Sequence, residues 1–194
     1  MSEIKMSVRP ANIIDALPIA QIQAEALVEA LSAGLEKELS EYSRAQLEVG
    51  GLTSTWMSLI ANPPSEDCHV LVADENGEVA GVAAIAPADP SMTEDDDPNG
   101  LDPETGALRQ AFEITNFDIP ARYADNDHGA RMLAAITDIA REAGATEVQM
   151  WAIAGHDQTT RLLDSCGFAP RPLRRVMELD GGEIMEYLWW TVLD

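Results

Sequence analysis

AFEITNFDIPARYADNDHGARML, residues 111–133, changes its pattern twice. Residues 111–119 (AFEITNFDI) alternate apolar and polar side chains like a half-buried strand. PARYADND is turn chemistry. From residue 128 to 143, Met132, Ile136, Ile139 and Ala143 recur at helical spacing, and Gly144 suits the left-handed position that ends a helix. A strand that feeds a helix through such a turn places backbone N–H groups at a helix N-terminus, a ready anion site.

The flanks extend this unit on both sides. EVQMWAIA (147–154) is another strand. Residues 157–166 form a helix with Leu162, Leu163 and Cys166 inward, closed by Gly167. Residues 172–179 and 183–193 form a final strand pair joined at Gly181-Gly182. Upstream, HVLVADENGEVAGVAAIAP (69–87) reads as strand, turn, strand, with Asn76-Gly77 as the hairpin signal. Residues 5–10 form a first strand. Pro18 suits the first turn of a helix that carries Leu17, Ile22, Leu27 and Leu31. A second helical stretch surrounds Trp56, Leu59 and Ile60 and stops before Pro63-Pro64. The order is β-α-α-β-β-β-α-β-α-β-β: an α/β (α+β) fold with a mixed sheet and helices on both faces.

Between the hairpin and the central strand, residues 88–107 (ADPSMTEDDDPNGLDPETGA) hold no basic residue. They predict an exposed, flexible acidic loop within one domain spanning 1–194. The net charge of −22 excludes a nucleic-acid partner and docking on anionic lipid. It suits a cationic acceptor and equally a merely solubilising surface. No run of about 18 apolar residues spans a membrane, and the first residues lack a signal-peptide core, so the expected place is the cytoplasm. Cys68 and Cys166 read as buried core thiols. His69, His128 and His156 have no metal-ligand spacing, and no nucleophile triad or Walker loop is visible. Trp151, Trp189 and Trp190 read as core or interface residues.

This order resembles that of the GNAT acetyltransferases. IPARYADNDHGARML (119–133) is similar to the family's cofactor motif, Val-x-Pro-x-Tyr-x-Gly-x-Gly-x-Gly, with Ile119, Tyr123 and Gly129 in register. AGHDQTTRLLDSCGF (154–168) resembles the family's Asn-x-x-Ala-x-x-Leu-Tyr-x-x-x-Gly-Phe segment through Leu162, Gly167 and Phe168. Residues 151–179 also resemble the end of the N-terminal half of mycothiol synthases. The chain departs from the pattern at Asp125 and Asp127, which replace two glycines, and at Ala124, Ala121, His156 and Leu163, the last at the position of a frequent tyrosine.

The resemblance implies acetyl-CoA as co-substrate, and it implies that strands 111–119 and 147–154 run parallel and part at their C-terminal ends. It implies a cofactor site at Phe117, Asp118, Ile119, Asp125, Asn126, Asp127, His128, Gly129 and Ala130, and transfer of the acetyl group to a primary amine by direct attack in a ternary complex. Glu113 stands where some members carry a general base, and it reads equally as an ordinary strand position. Asp118 is the weaker base, because alternation points it to the other face unless a bulge intervenes. His156 is the second catalytic candidate, as a cofactor neighbour or acid, against a plain polar role at a strand–helix junction. Arg122 and Arg131 would offset part of the aspartates' repulsion of a phosphate. One of those aspartates is expected to cap the helix. The implied acceptor is a small-molecule amine or a basic peptide, and a homodimer is compatible. The alternative is a degenerate GNAT domain that binds acyl-CoA or a protein partner without catalysis.

Overall fold

Two tight turns organise the sheet. Asn76 and Gly77 both take positive φ (55° and 93°), the geometry that matches the twist of a two-residue hairpin. They join β2 (His69–Glu75) to β3 (Glu78–Pro87). Asp180 and Gly181 repeat that geometry (φ 52° and 70°) between β6 (Ala169–Leu179) and β7 (Gly182–Val192). The second turn is therefore centred one residue earlier than Gly181-Gly182, and Gly182 opens the returning strand.

The computed structural model describes residues 5–89, 110–124 and 126–194. Most of the acidic stretch 88–107, and Asp125, lie outside them. β1 (Met6–Pro10), β4 (Ala111–Asp118) and β5 (Glu147–Ile153) complete a seven-stranded sheet in the order β1-β2-β3-β4-β5-β7-β6. Only β4 and β5 run parallel; every other neighbouring pair is antiparallel. The helices are α1 (Ala16–Leu35), α2 (Glu41–Gln46), α3 (Val49–Ala61), α4 (His128–Glu142) and α5 (Asp157–Ser165). Sequence periodicity does not show the six-residue α2, which is too short to repeat.

The sheet is covered on both faces. One buries Ile85, Phe112, Ile114, Phe117, Met132, Ile136 and Leu163, bringing α4 and α5 onto the strands. The other buries Ile19, Ile22, Trp56, Val72 and Val82, bringing α1 and α3 onto them. Glycines permit two close approaches. A Cβ on Gly34 of α1 would stand 2.7 Å from Ile153, and one on Gly129 of α4 would stand 2.5 Å from Leu162 of α5. No described helix is long and apolar enough to cross a membrane. Cys68 and Cys166 are free and half-buried. Cys166 packs against the core cluster, whereas Cys68, just ahead of β2, is a correction to its reading as a core thiol. Trp151 and Trp190 lie under the guanidinium groups of Arg175 and Arg171, at 4.7 and 3.9 Å from the ring centres.

Candidate active site

The parallel pair parts as expected. β4 and β5 are in register from Ala111–Glu147 to Ile114–Met150, and residues 115–118 have no ladder partners on β5. The opening is therefore a strand edge inside the sheet, with unshared backbone groups. One is already used: the Gln158 side-chain amide donates to the Ile119 carbonyl at 3.0 Å. This edge accepts an amide donor, the kind of group an amide-bearing arm would offer.

A bulge decides which side chains meet there. β3 pairs Ile85 with Ile114 but Ala84 with Asn116, so Thr115 is an extra residue in β4. Without it, Glu113 and Asp118 would face opposite ways. With it, Phe112, Ile114 and Phe117 all enter the α4 side, while Asn116 and Asp118 turn to the α1 side with Glu113.

A cleft of about 340 Å³ opens at the end of β4. Ala26 and Glu29 of α1, Phe117, Asp118 and Ile119, and His156, Gln158, Thr159 and Leu162 line it. Among the two catalytic candidates, His156 is in this lining. Glu113 is not: it lies on the other side of the bulge, where Gln149 donates to it at 3.2 Å. Neither spacing nor composition marks Glu29, Gln158 and Thr159 in the sequence.

Asp118 has no ion-pair partner among the described residues. Asn116 Nδ2 donates to its Oδ2. Gln23 Nε2 of α1 donates to Asn116 Oδ1 at 2.7 Å, and Trp56 Nε1 of α3 donates to Gln23 Oε1 at 2.8 Å. Burial pushes the Asp118 carboxyl up to about 7, against the pull of the Asn116 N–H. His156 shifts the other way: desolvation lowers it below the usual histidine range, and the charges of Glu29 and Asp157 counter only part of this. Its imidazole is neutral near pH 7, with Nδ1 3.0 Å from Thr159 Oγ1. A neutral imidazole suits a polar wall or an acceptor better than an acid.

The turn into α4 holds the other candidates. His128 is fully buried, with Nε2 2.7 Å from Glu75 Oε2 and its ring in a T-shaped contact with Tyr123. Asn126 Nδ2 donates to the same carboxylate at 3.3 Å. These two side chains thus fix the turn to the end of β2. Asp127 is the N-cap residue of α4, exposed, and its carboxylate makes no capping bond to described residues. The expected cap is absent at Asp127, and Asp125 lies outside the described residues. Arg122 is paired with Glu25 at 2.9 Å instead of standing free beside the turn. Ala130 is exposed. Leu163, at the tyrosine position, is fully buried in the core, and its neighbour Leu162 lines the cleft.

The family model described as Acetyltransferase (GNAT) family matches residues 32–168, most of the chain. The chain belongs to this family. Among solved structures, this GNAT chain is similar to the ribosomal-protein-alanine N-acetyltransferase of Brucella melitensis (21% identity, TM-score 0.65, covering 96% of this chain and 99% of that one). It is similar to Arabidopsis thaliana NAA60 in complex with a bisubstrate analogue (14%, 0.67, 97% and 98%). It is also similar to yncA of Salmonella typhimurium, solved with its cofactor acetyl-CoA (16%, 0.63, 97% and 94%). No curated protein matches. At these identities the structural likeness establishes the fold, a mixed α/β acyltransferase sheet.

Proposed function

We propose that this GNAT domain transfers an acetyl group from acetyl-CoA to a primary amine, with both substrates bound together. The observation that carries the reading is a carboxylate with no ion-pair partner among the described residues, Asp118, at the edge where β4 and β5 part. Two unpaired thiols fit a cytoplasmic setting.

Acetyl-CoA supplies an activated acetyl thioester. Residues 117–119 and Gln158 would hold its amide-bearing arm, and the backbone at Asn126–Ala130 would meet its phosphates. The other tasks fall to the chain. An amine must lose a proton as it forms its bond to the acetyl carbon. Asp118 takes that proton, because a base acts best when its pKa lies near the working pH. Glu113, bound to Gln149 behind the bulge, is the less suited base. Glu29 and Asp118 line the cleft together and favour a cationic acceptor, a small amine or the amine of a basic peptide. The departing thiolate takes its proton from solvent, since Leu163 has none to give and His156 is neutral.

The test is calorimetry with acetyl-CoA, then CoA release across a panel of amines. Saturable binding and amine-dependent release support the reading. An absence of binding at millimolar ligand overturns it. Binding without release favours the second reading, an acyl-CoA-binding domain without catalysis, which the exposed Asp127 carboxylate and the engaged Arg122 support.

A further inference from the structure

We infer that Trp56 and Gln23, on two helices outside the cleft lining, are positioning residues that fix the orientation of the Asn116 amide and so present a donor to Asp118. The inference rests on Asp118 being the base proposed above, but its first observable does not require catalysis. What each group can donate sets the direction of the chain. An indole N–H only donates. Gln23 must therefore turn its oxygen to Trp56, which it does at 2.8 Å. Its nitrogen is then left for Asn116, whose oxygen accepts at 2.7 Å. The remaining end of Asn116 is its nitrogen, and it donates to Asp118 Oδ2. An amide chain alone could run either way. The donor-only tryptophan at one end breaks that symmetry, and an ionised carboxylate, which only accepts, closes the other end.

Direction matters because the two ends of Asn116 have opposite effects on the acid. A nitrogen facing Asp118 stabilises the carboxylate; an oxygen facing it stabilises the protonated acid. Trp56 is 3% exposed and Gln23 and Asn116 are half-buried, so solvent has limited access to replace a lost link. The charged and titratable groups around Asp118 are Glu29 on α1 and His156 before α5, both in the cleft lining. Farther out stand Asp157 beside His156, Glu113 behind the bulge, and the Arg122–Glu25 pair. None of them touches the amide chain, so a change at Trp56 or Gln23 reaches Asp118 through Asn116.

The experiment follows the Asp118 carboxyl titration by carbon NMR in the free protein, assigned with Asp118→Asn. It is repeated for Trp56→Phe, which keeps an aromatic ring and deletes the donor, and for Gln23→Met, which keeps length and deletes both links. The pH profile of kcat/KM is recorded for each protein. The expected result is an upward move of the Asp118 midpoint by about half a unit to one unit in both variants, as a hydrogen bond to the charged form is weakened. The acid limb of the rate profile moves with it, and rates above that limb are kept to within about threefold. A merely structural role would lower the unfolding midpoint and leave both profiles where they are; that result in both variants overturns the inference. Should Trp56→Phe fold poorly, Gln23→Met, whose side chain is not part of the buried core, carries the same test. A midpoint that moves in a protein with no transfer activity, or with an unmoved acid limb, supports the orienting chain and overturns Asp118 as the base.

Discussion

Asp15 and Asp118 are two carboxylates held at opposite ends of one range by what faces them. Asp15, just before α1, is 4% exposed and receives both guanidinium nitrogens of Arg9, at 2.7 and 3.0 Å, and the Asn12 N–H at 2.7 Å. The Arg9 hydrogen bonds, with help from the Asn12 N–H and the Arg9 charge, hold its carboxyl below the ordinary aspartate range despite burial. Asp118 is also desolvated, but its partner is a neutral amide, and burial wins. A fork of charge fixes a helix entrance and leaves nothing to react. A single amide leaves a carboxylate able to take and return a proton near neutral pH. Environments that push two like groups apart in this way separate structural from catalytic roles.

The largest effect should come from neutralising Asp118, the proposed base. Asp118→Asn is expected to lower amine-dependent CoA release by about 10²–10⁴-fold, with acetyl-CoA affinity in calorimetry changed little. A rate within threefold of the parent would return Glu113 to consideration. The same substitution should make the protein more stable at pH 8, because the ionised form of Asp118 is the costly one in the fold. The sign follows from its raised pKa. Between the unfolded value of 3.8 and the folded value of about 7, the folded state binds more protons, so stability falls as pH rises through that window. Chemical denaturation at pH 8 should show a gain on the order of 2–4 kcal/mol that fades towards pH 4. A gain independent of pH would show that packing, not charge, is responsible.

Asp15 should behave in the opposite sense. Asp15→Ala leaves Arg9 with Asp74, at 3.4 Å, as its carboxylate partner among the described residues, and deprives the Asn12 N–H of its acceptor. A loss of about 2–3 kcal/mol at pH 7 is expected, less than for a fully buried pair because Arg9 is partly exposed. The contribution is present above the unfolded pKa and is lost as pH falls through the lower folded value. The gap between parent and variant should therefore close in acid, while activity per folded molecule stays the same. A closing gap at basic pH instead would show that Arg9 and the Asn12 N–H do not hold the Asp15 carboxyl below its ordinary range.

The element order was legible because it rests on local signals: Asn76-Gly77, the helical spacing after residue 128 and the alternation in 111–119. The site was legible only in part, because one residue changes its parity. Thr115 looks like any strand residue, and its bulge exists only in the pairing with β3. Plain alternation therefore points Asp118 to the face opposite Glu113, and the bulge returns it to the same face. The chain from Trp56 through Gln23 to Asn116 joins residues 33 and 93 positions apart. Such links have no trace in any window of sequence. The turn at Asn126–Asp127 was placed correctly, but the work of its side chains was not: His128 and Asn126 are tied to Glu75 on β2, a contact no local pattern foretells.

Asp127 is a third acidic case and carries the smallest expected effect. It occupies the N-cap position of α4, yet it is exposed and makes no capping bond there. With no capping bond among the described residues, its proposed influence on acetyl-CoA is through space alone. About 7 Å from a phosphate, one unit charge in water repels another by roughly 0.6 kcal/mol, about threefold in affinity. Asp127→Gly should therefore tighten acetyl-CoA binding by about that factor. The cost to α4 should be a few tenths of a kcal/mol, since glycine is tolerated at this position and no side-chain bond is lost. Salt screens exposed charges, so the advantage should shrink between low and high ionic strength. Calorimetry at the two salt concentrations measures both quantities. Equal dissociation constants for parent and variant at low salt would mean that Asp127 points away from the phosphates. A tightening that persists at high salt would mean that glycine acts through the backbone of the turn, letting it close more tightly on the phosphates, and not through the loss of charge.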